Sequence, residues 1–519
     1  MTAEQKMITG AEAILKVAAA ADIKICFANP GTTELSLVRA LDHNPSIHSV
    51  LAIFEGVCTG AADGYARISG KPALALLHLG PGLANGLANL HNARKAGTPV
   101  ISVVGEHASW HIAANAPLTS DIDTLARPMS KFVHTTTRPE SAAADMAAAI
   151  TQALQLPGGP STLIVPGDVQ WAKVPDQQVS IQLPTPTAPD SADIEDAAKV
   201  LRSGNAALVL GGTALRTSGL RAADRIARAT GCRVLAPTFP PVQDRGAGLI
   251  SPDKIPYPPE PARQMLAPYH NVILAGAGEP VAFFGYPDGR SGLCAEDAEI
   301  TRLCNPTVDP ASALVALADA LGAPPSRTVV APERPQAPRG PLTPVVMCQA
   351  IAAAQTENTI VMDEGATAGF SYYGFSAGAP PFTYMTLTGG SIGQGLPCAV
   401  GAAAAEPRKR VLCLEGDGSS LYTIQSLWTM AREKQKVTTI ICKNRAYSIL
   451  RWEMERAGTT PGPASLALTG LDNPEISYVK VAEGFGVEAR AVNTAEALTE
   501  ALAYSFNSTS PFLIEANLG

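Results

Sequence analysis

The sequence predicts an α/β protein built of three doubly wound parallel-sheet domains. Apolar runs of strand length alternate with helix-like segments along most of the chain, as in residues 411–442. The length of 519 residues corresponds to about three domains of ordinary size. Proline-rich segments interrupt the alternation twice, and we interpret them as linkers.

The linkers and strands divide the chain in order. The first linker covers residues 174–192, and the second, residues 331–344, contains five prolines within fourteen residues. We therefore expect domains at residues 1–175, 190–330 and 345–519. The runs that we interpret as strands are 47–54 and 73–77 in the first domain, 206–210 and 271–275 in the second, and 359–362, 411–414 and 437–442 in the third.

Composition excludes several classes of function. The net charge of −7 provides no basic patch, so nucleic acid is not an expected partner. No apolar run reaches membrane-spanning length, and the first residues form an amphipathic pattern interrupted by charge rather than a signal peptide. The nine cysteines lack the paired spacing of metal ligands and are typical of buried free thiols in a cytoplasmic protein.

The segment 411–444 carries the strongest functional signal. Gly416, Asp417 and Gly418 follow one apolar run, and Asn444 follows the next. Because parallel strands place their carboxyl ends on one edge, Asp417 and Asn444 can converge there. A carboxylate and an amide oxygen suit Mg²⁺, and the glycines and the following helix start suit phosphates. A lone Gly-Asp-Gly is nevertheless more often an ordinary turn, and the asparagine shifts this balance only moderately.

This pattern resembles the signature of thiamine-diphosphate-dependent enzymes. The resemblance implies that Asp417 and Asn444 bind Mg²⁺, which holds the cofactor diphosphate, and that the backbone at Gly416 and Gly418 approaches the phosphates. It also implies that Ala446 offers its backbone carbonyl to the metal. Lys443 stands where the family usually has a first asparagine, which is not the ligand.

The first third of the chain resembles the pyrimidine-binding domain of the same family. Glu55 follows an apolar run, a Gly-Tyr-Ala-Arg segment occupies residues 64–67, and a second run leads into His78 and the Gly-Pro-Gly of residues 80–82. The resemblance implies that Glu55 bonds the aminopyrimidine and promotes its imino tautomer. Without it, Glu55 would be an ordinary carboxylate at a helix start.

Two further segments resemble cofactor-binding parts of the family. In the loop of residues 388–393, Gly390 fits the place whose carbonyl meets the aminopyrimidine, and Ile392 fits the residue that holds the cofactor bent. Thr367, after another strand, and Ser419 and Ser420 could bond the diphosphate.

Within the family, the chain resembles benzoylformate decarboxylase most. His78 matches an active-site histidine there, and imidazole is suited to proton transfer near neutral pH. Residues 29–35 (NPGTTEL) resemble its NPGS-type loop with Thr32 in place of the serine, which implies that Thr32 binds the cofactor. Residues 449–452 (ILRW) resemble its ALRW segment.

Departures from that pattern bear on the substrate. The second active-site histidine is missing, because AFFGY occupies residues 282–286. His107 and His111 lie near a loop where related decarboxylases keep histidines, but the register does not match well. Ile449 replaces a small alanine and Glu453 an aromatic residue, which predicts a smaller, more polar acyl pocket and a small 2-oxo acid.

We therefore predict a thiamine-diphosphate and Mg²⁺ enzyme that decarboxylates a 2-oxo acid through an enamine. An acetolactate-synthase-like carboligase is the first alternative, and a non-catalytic cofactor-binding scaffold is the second. The features that such synthases use for FAD are not visible in residues 190–330. The resemblance implies a homotetramer (a dimer of dimers). The small-residue helices around Ala61 and Ala402 suit close packing between subunits, and ordinary packing in a core would give the same pattern.

Overall fold

A computed structural model describes residues 6–330 and 332–519. Residues 1–5 of the predicted first domain and Ala331 of the predicted second linker lie outside the described residues. The chain divides into two units, of which the first contains Met1–Pro184, Pro335–Phe375 and Leu387–Gly519, and the second contains Thr185–Arg334 and Ser376–Thr386.

A six-stranded parallel sheet forms the N-terminal part of the first unit. This part of the unit contains the strands β1 (Met7–Thr9), β2 (Ile25–Asn29), β3 (His48–Leu51), β4 (Ala73–His78), β5 (Val100–Glu106), β6 (Phe132–Thr135), β7 (Ser161–Pro166) and β8 (Lys173–Pro175). The helices are α1 (Gly10–Ala20), α2 (Leu35–Asp42), α3 (Glu55–Ser69), α4 (Leu79–Ala96), α5 (Ile122–Ala126), α6 (Ala142–Leu154) and α7 (Gly167–Trp171). The strand order is β3-β2-β4-β5-β7-β6, while β1 and β8 form a separate antiparallel pair. All residues of β5 and β7 are buried, as expected for parallel strands covered on both faces.

The second unit contains the strands β9 (Ala206–Leu210), β10 (Arg233–Ala236), β11 (Gln243–Arg245), β12 (Asp253–Lys254), β13 (Asn271–Ala275) and β14 (Glu299–Arg302). All of them except β11 form a five-stranded parallel sheet of order β12-β10-β9-β13-β14. Its helices are α8 (Ser191–Arg202), α9 (Thr217–Thr230), α10 (Pro259–Leu266) and α11 (Pro310–Ala320).

A third parallel sheet lies in the C-terminal part of the chain. The strands are β15 (Thr359–Glu364), β16 (Phe382–Thr386), β17 (Arg410–Gly416), β18 (Val437–Lys443), β19 (Glu488–Val492) and β20 (Phe512–Asn517). The helices are α12 (Pro344–Ala354), α13 (Ala366–Gly369), α14 (Tyr372–Phe375), α15 (Gly395–Ala405), α16 (Asp417–Ser420), α17 (Ser426–Arg432), α18 (Ser448–Arg456), α19 (Pro463–Thr469), α20 (Tyr478–Gly484) and α21 (Ala495–Asn507). In the first unit the parallel order is β15-β17-β18-β20-β19. In the second unit β16 pairs antiparallel with β11.

Three parallel sheets with intervening helices confirm the predicted fold class. The residue boundaries that we gave for the three domains stay predictions. The Gly-Pro-Gly after His78 lies in the first turn of α4, which begins at Leu79. Pro81 is accommodated there, since the N–H groups of the first helical turn have no partner within the helix.

The helices around Ala61 and Ala402 do not provide a surface for a second subunit. α3 and α15 pack against each other within the chain, and both alanines are fully buried. At this contact the Cys398 Sγ lies 3.4 Å from the Gly60 carbonyl oxygen. Small residues allow this close approach, so our interpretation of these helices as a subunit interface was wrong.

Candidate active site

The first group of predicted site residues lies where β2 and β4 end. These strands are parallel neighbours, and Asn29 pairs with Leu77. Because β3 lies beyond β2 and β5 lies beyond β4, the strand order reverses between them. Ligands of doubly wound sheets bind outside the carboxyl ends of the strands at such a point. We call this place, with Asn29, Glu55 and His78 around it, the Glu55 edge.

Glu55 is the first residue of α3, and only 8% of it is exposed. Its Oε1 accepts a hydrogen bond of 3.0 Å from Asn29 Nδ2, and its Oε2 accepts one of 2.9 Å from Asn85 Nδ2. Both partners are neutral amides. These two neighbours therefore orient the carboxyl group.

His78 ends β4 and contacts a buried carboxyl group that sequence reasoning missed. Its Nδ1 lies 2.8 Å from Oε2 of Glu34, a fully buried residue. Because that carboxyl group accepts the hydrogen of Nδ1, Nε2 is the ring nitrogen that can release or take up a proton. The available signal for Glu34 was a carboxyl residue within the NPGTTEL loop, directly after a strand.

Thr33, the neighbour of the Thr32 that we predicted to bind the cofactor, contacts the histidine. The Thr33 Oγ1 lies 3.1 Å from Nδ1 of His78 and also donates to Glu34, whereas Thr32 is exposed. Gly31 is required by its close approach to the ring, because a Cβ there would lie 2.3 Å from Nδ1 of His78. Its N–H donates to Oε2 of Glu34 at 2.9 Å.

The second group of predicted residues lies where β17 and β18 end, and we call this place the Asp417 edge. Asp417 directly follows β17, and its Oδ2 accepts a hydrogen bond of 2.6 Å from the backbone N–H of Arg445. Its Oδ1 accepts one of 2.9 Å from the N–H of Gly418. Burial raises the pKa of Asp417, while these backbone N–H groups act in the opposite direction. The structure thus brings Asp417 beside Asn444, 27 positions apart in the sequence.

Asn444 and Ala446 follow β18 on the same edge. The Asn444 Oδ1 accepts a hydrogen bond of 3.0 Å from the N–H of Ala446, which fixes the side chain in the turn. Among the described residues, no group of three or more His, Cys, Asp or Glu could hold a metal ion. A metal bound by Asp417 and Asn444 would therefore take further oxygens from another molecule, as Mg²⁺ commonly does from phosphate and water.

The hydroxyl groups after Asp417 bond within the protein. Ser420 donates to the Asp417 carbonyl oxygen at 2.7 Å, as does the Tyr478 hydroxyl, also at 2.7 Å. Ser419 donates to Glu415. Gly418 packs so closely that a Cβ would lie 2.4 Å from the ring of Tyr447. The serines therefore stabilise the turn, and Gly418 cannot be replaced by a residue with a side chain without displacing Tyr447.

The loop of residues 388–393 presents alternate carbonyl groups. The carbonyl oxygens of Gly389, Ser391 and Gly393 lie within hydrogen-bond distance of side chains of α4. Among the described residues, no donor bonds the carbonyl oxygens of Gly390 and Ile392. Gly390 has a φ of 77°, and Ile392 is half-buried. The carbonyl group of Gly390 is thus available to a ligand.

A pair of buried carboxyl groups lies beneath this loop. Glu364 and Glu415 are Cα partners on β15 and β17, and both side chains are buried. Glu364 accepts hydrogen bonds from the N–H groups of Gly393, at 2.7 Å, and Gly395. Burial raises the pKa of Glu364 to about 7. Burial and, to a smaller extent, the charge of Glu364 raise the pKa of Glu415.

Thr367, which we predicted to bond the diphosphate, is half-buried in α13.

Three residues just beyond strand ends have a left-handed backbone that non-glycine residues rarely adopt. They are Leu79 after β4 (φ 52°), Ala366 after β15 (φ 46°) and Arg445 after β18 (φ 61°). Each stands next to a predicted site residue, namely His78, Thr367 or Asn444. Such backbone strain clusters at functional sites, because surrounding structure must maintain it.

His107 and His111 contact each other rather than the residues of the Glu55 edge. Their ring centroids are 5.3 Å apart in a T-shaped arrangement, and the exposed Trp110 packs on His111. In the described part of the chain, no hydrogen bond joins either histidine to Glu55 or His78.

Comparisons with known proteins define the class. The model of the thiamine pyrophosphate enzyme N-terminal TPP binding domain matches residues 8–126, and that of the C-terminal TPP binding domain matches residues 365–516. A protein of Mycobacterium tuberculosis, provisionally named an acetolactate synthase large subunit, is 46% identical over 511 residues, covering 98% of each chain. The chain belongs to the thiamine pyrophosphate enzyme family.

Two further relatives carry the name of a decarboxylase. The benzoylformate decarboxylase of Pseudomonas aeruginosa is 30% identical over 528 residues, covering 94% of this chain and 95% of the relative. The thiamine diphosphate-dependent 4-hydroxybenzoylformate decarboxylase of Rhodococcus jostii RHA1 has the same fold, with a TM-score of 0.85, 24% identity and 99% coverage of both chains. The chain is thus a thiamine-diphosphate enzyme with decarboxylases and acetolactate synthases as homologues, and Mg²⁺ is the usual partner of the cofactor in this family.

In the described residues, no helix is both long and apolar enough to cross a membrane.

Proposed function

We propose that this enzyme decarboxylates a small 2-oxo acid to the corresponding aldehyde and CO₂. The observation that carries the proposal is the contact between His78 and the buried Glu34, beside Glu55. Decarboxylation without oxidation requires that a proton replace the lost carboxyl group. A histidine with one ring nitrogen held by a carboxyl group has its other nitrogen available for that proton.

We propose that the cofactor is held between two subunits, by the Glu55 edge of one and by the Asp417 edge and the loop between β16 and α15 of the other. Asp417, Asn444 and the Ala446 carbonyl would hold Mg²⁺. The backbone at Gly416 and Gly418, with the hydroxyl group of Thr367, would face the diphosphate, while Ser419 and Ser420, which we predicted to bond it, hold the turn instead. The carbonyl group of Gly390 and the side chain of Ile392 would meet the pyrimidine. These residues fit the group, because the Gly390 carbonyl has no partner among the described residues and the two metal ligands converge.

The residues of the Glu55 edge would handle protons. Bound thiamine diphosphate supplies a carbon nucleophile that stabilises negative charge on the acyl carbon. Glu55 would hold a proton at the aminopyrimidine ring, while Asn29 and Asn85 keep its carboxyl group oriented. His78 would deliver a proton from Nε2 to the acyl carbon.

A small substrate is supported by α18. Ile449 is half-buried in the first turn of this helix, and Glu453 pairs with Arg456 at 2.9 Å. The branched side chain of Ile449 reduces the space near the end of β18, and the ion pair of Glu453 replaces an apolar surface. Both features favour a short acyl group over a benzoyl group.

An acetolactate-synthase-like carboligase is the second candidate. It is favoured by the relative with 46% identity, which is provisionally named after that activity. A carboligase joins the acyl unit to a second keto acid or an aldehyde instead of protonating it, so the two candidates differ in the fate of the acyl unit once CO₂ has left.

We also propose a homotetramer, a dimer of dimers, in the cytoplasm. Two large apolar side chains are exposed close in sequence to the Glu55 edge, Leu35 (60%) and Ile53 (41%), and Trp110 (74%) is exposed in the segment after the neighbouring strand β5. Apolar side chains exposed around one place indicate a covered surface, and a second copy of the chain there would also shield the site from water. Light scattering should give the mass of four chains, and a monomer that binds cofactor fully would contradict this.

The proposed location in the cytoplasm is supported by the nine free cysteines, which are typical of a reducing compartment.

A panel of 2-oxo acids tests the proposed function. The purified protein is incubated with thiamine diphosphate, Mg²⁺ and each acid, and the products are identified by NMR. An aldehyde as the main product supports decarboxylation, whereas a 2-hydroxy ketone or an acetohydroxy acid supports the carboligase. Cofactor binding with no turnover of any acid supports the scaffold interpretation.

A further inference from the structure

The Gly-Tyr-Ala-Arg segment of α3 ends in an arginine that the proposed function does not use. Arg67 forms a two-pronged ion pair with Asp63, one turn earlier, with 2.8 Å between Nε and Oδ1 and 2.7 Å between Nη2 and Oδ2. The side chains are 1% and 0% exposed. Burial of two charges is costly, and a buried pair adds little stability over apolar residues of the same size. Stability alone therefore does not account for the buried pair of Asp63 and Arg67.

The pair bonds to both ends of the loop that contains Gly390 and Ile392. Nη2 of Arg67 donates to Oγ1 of Thr388 at 2.9 Å, and Nε2 of Gln394 donates to Oδ2 of Asp63 at 2.5 Å. Thr388 and Gln394 also bond each other, because the N–H of Thr388 donates to Oε1 of Gln394 at 3.1 Å. The four residues therefore form a closed ring of hydrogen bonds. The two ends of the loop are thus joined to each other and to one ion pair.

Helix α4 holds the residues between these ends. Asn92 Nδ2 donates to the Ser391 carbonyl at 2.7 Å, and Asn89 Nδ2 donates to that of Gly393 at 3.3 Å. The His91 Nε2 lies 3.0 Å from the Gly389 carbonyl oxygen. The carbonyl groups on either side of Gly390 are fixed in this way, while no donor among the described residues bonds the Gly390 carbonyl oxygen.

We infer that Asp63 and Arg67 are positioning residues that set the shape of this loop and so place the Gly390 carbonyl and the Ile392 side chain against the pyrimidine of the cofactor. The inference rests on the proposed cofactor-binding role of the loop. A lysine cannot replace the arginine, because bonding Asp63 through two nitrogens while also reaching Thr388 requires the planar fork of a guanidinium group.

Thr388 provides the test. Thr388→Val keeps the shape of the side chain and removes its bonds to Arg67 and to the Asn92 carbonyl, which is 2.8 Å away. Thr388→Ser keeps the hydroxyl group. Thr499→Val is the matched control, because the Thr499 hydroxyl bonds only its own helix, at the Ala495 carbonyl oxygen. Arg67→Lys is a second variant should Thr388→Val not fold.

Three quantities are measured: the Kd of thiamine diphosphate by calorimetry, exchange of the cofactor C2 proton at saturation by NMR, and deuterium exchange of the loop amides without cofactor. In Thr388→Val we expect the Kd to rise about tenfold, the effect of losing a hydrogen bond to a charged group. C2 exchange should slow and the loop amides should exchange faster. Thr388→Ser should restore all three quantities, and Thr499→Val should match the wild type.

Two outcomes would contradict the inference in different ways. If the wild type binds cofactor and Thr388→Val matches it in Kd, C2 exchange and loop protection, the positioning role is overturned while the proposed function stands. If the wild type binds no cofactor, the proposed function is refuted, and so is the cofactor-binding role of the loop.

Discussion

The Glu55 edge and the Asp417 edge hold their carboxyl groups in opposite ways. At the Glu55 edge, side chains hold side chains: Asn29 and Asn85 bond Glu55, and Glu34 bonds His78. At the Asp417 edge, the backbone N–H groups of Gly418 and Arg445 hold the aspartate. Side-chain partners can reorient together with the group that they bond, whereas backbone donors hold a carboxyl group in one geometry. The first arrangement suits proton transfer, and the second suits an anchor for a metal.

The largest effect should come from removing the anchor. Asp417→Ala removes the only charged ligand that we assign to Mg²⁺, so cofactor affinity should fall by more than about 100-fold, the upper range for changes to groups that only support metal ligands. Excess Mg²⁺ should restore binding only in part. Calorimetry with thiamine diphosphate measures both effects, and unchanged affinity would refute the assignment of the metal site.

Glu475→Ala is the control for charge alone. Glu475 pairs with Lys443 at 2.9 Å and with Arg445 at 3.1 Å, and it is exposed. Its removal takes one negative charge from the neighbourhood of Asp417 without touching a proposed ligand. Because exposed ion pairs contribute little, we expect less than about a fivefold change in cofactor affinity.

A smaller effect should follow from disturbing the histidine. Glu34→Gln keeps the size of the side chain but replaces one carboxyl oxygen with an amide group, so His78 loses its fixed tautomer. We expect kcat for decarboxylation to fall by about 100-fold, the lower end for general acid–base groups. Cofactor affinity should remain that of the wild type, because Glu34 is not at the Asp417 edge. A parallel loss of cofactor binding would show that the two edges are not separable.

The smallest effect distinguishes two adjacent threonines. Thr33→Val removes the hydroxyl group near Nδ1 of His78, and we expect a loss of about 1 kcal/mol in transition-state stabilisation, the worth of one hydrogen bond. Thr32→Val alters an exposed residue and should leave kcat/KM unchanged. The reverse ranking in steady-state kinetics would support the sequence-based choice of Thr32.

The sequence was sufficient for features that depend on strand ends. Apolar runs located β17 and β18, and the parallel order then required residues Asp417 and Asn444 to lie on one edge. The same reasoning located Glu55 and His78 after β3 and β4. These inferences succeed because strand direction and strand length alone determine where such residues lie.

Features set by side-chain packing could not be predicted. A single turn of 3-10 helix at Thr32–Glu34 determines which threonine faces His78, and its orientation has no periodic signal. Glu415 lies within an apolar strand, where only the structure shows its partner Glu364. Small residues on α3 and α15 suit contacts within a chain as well as between chains, and composition does not distinguish the two.

The central claim is that the Glu55 edge transfers protons while the Asp417 edge anchors the metal. Exchange of the C2 proton of bound thiamine diphosphate tests this claim most directly. Glu55→Gln should still fold and load with cofactor, since the Asp417 edge that would hold the metal and the diphosphate is intact. Exchange measured by quench NMR should slow by about 10²–10⁴-fold, the usual contribution of a general acid–base group. Wild-type exchange in a folded, cofactor-loaded Glu55→Gln would contradict the account, because the Glu55 edge would then have no part in proton transfer.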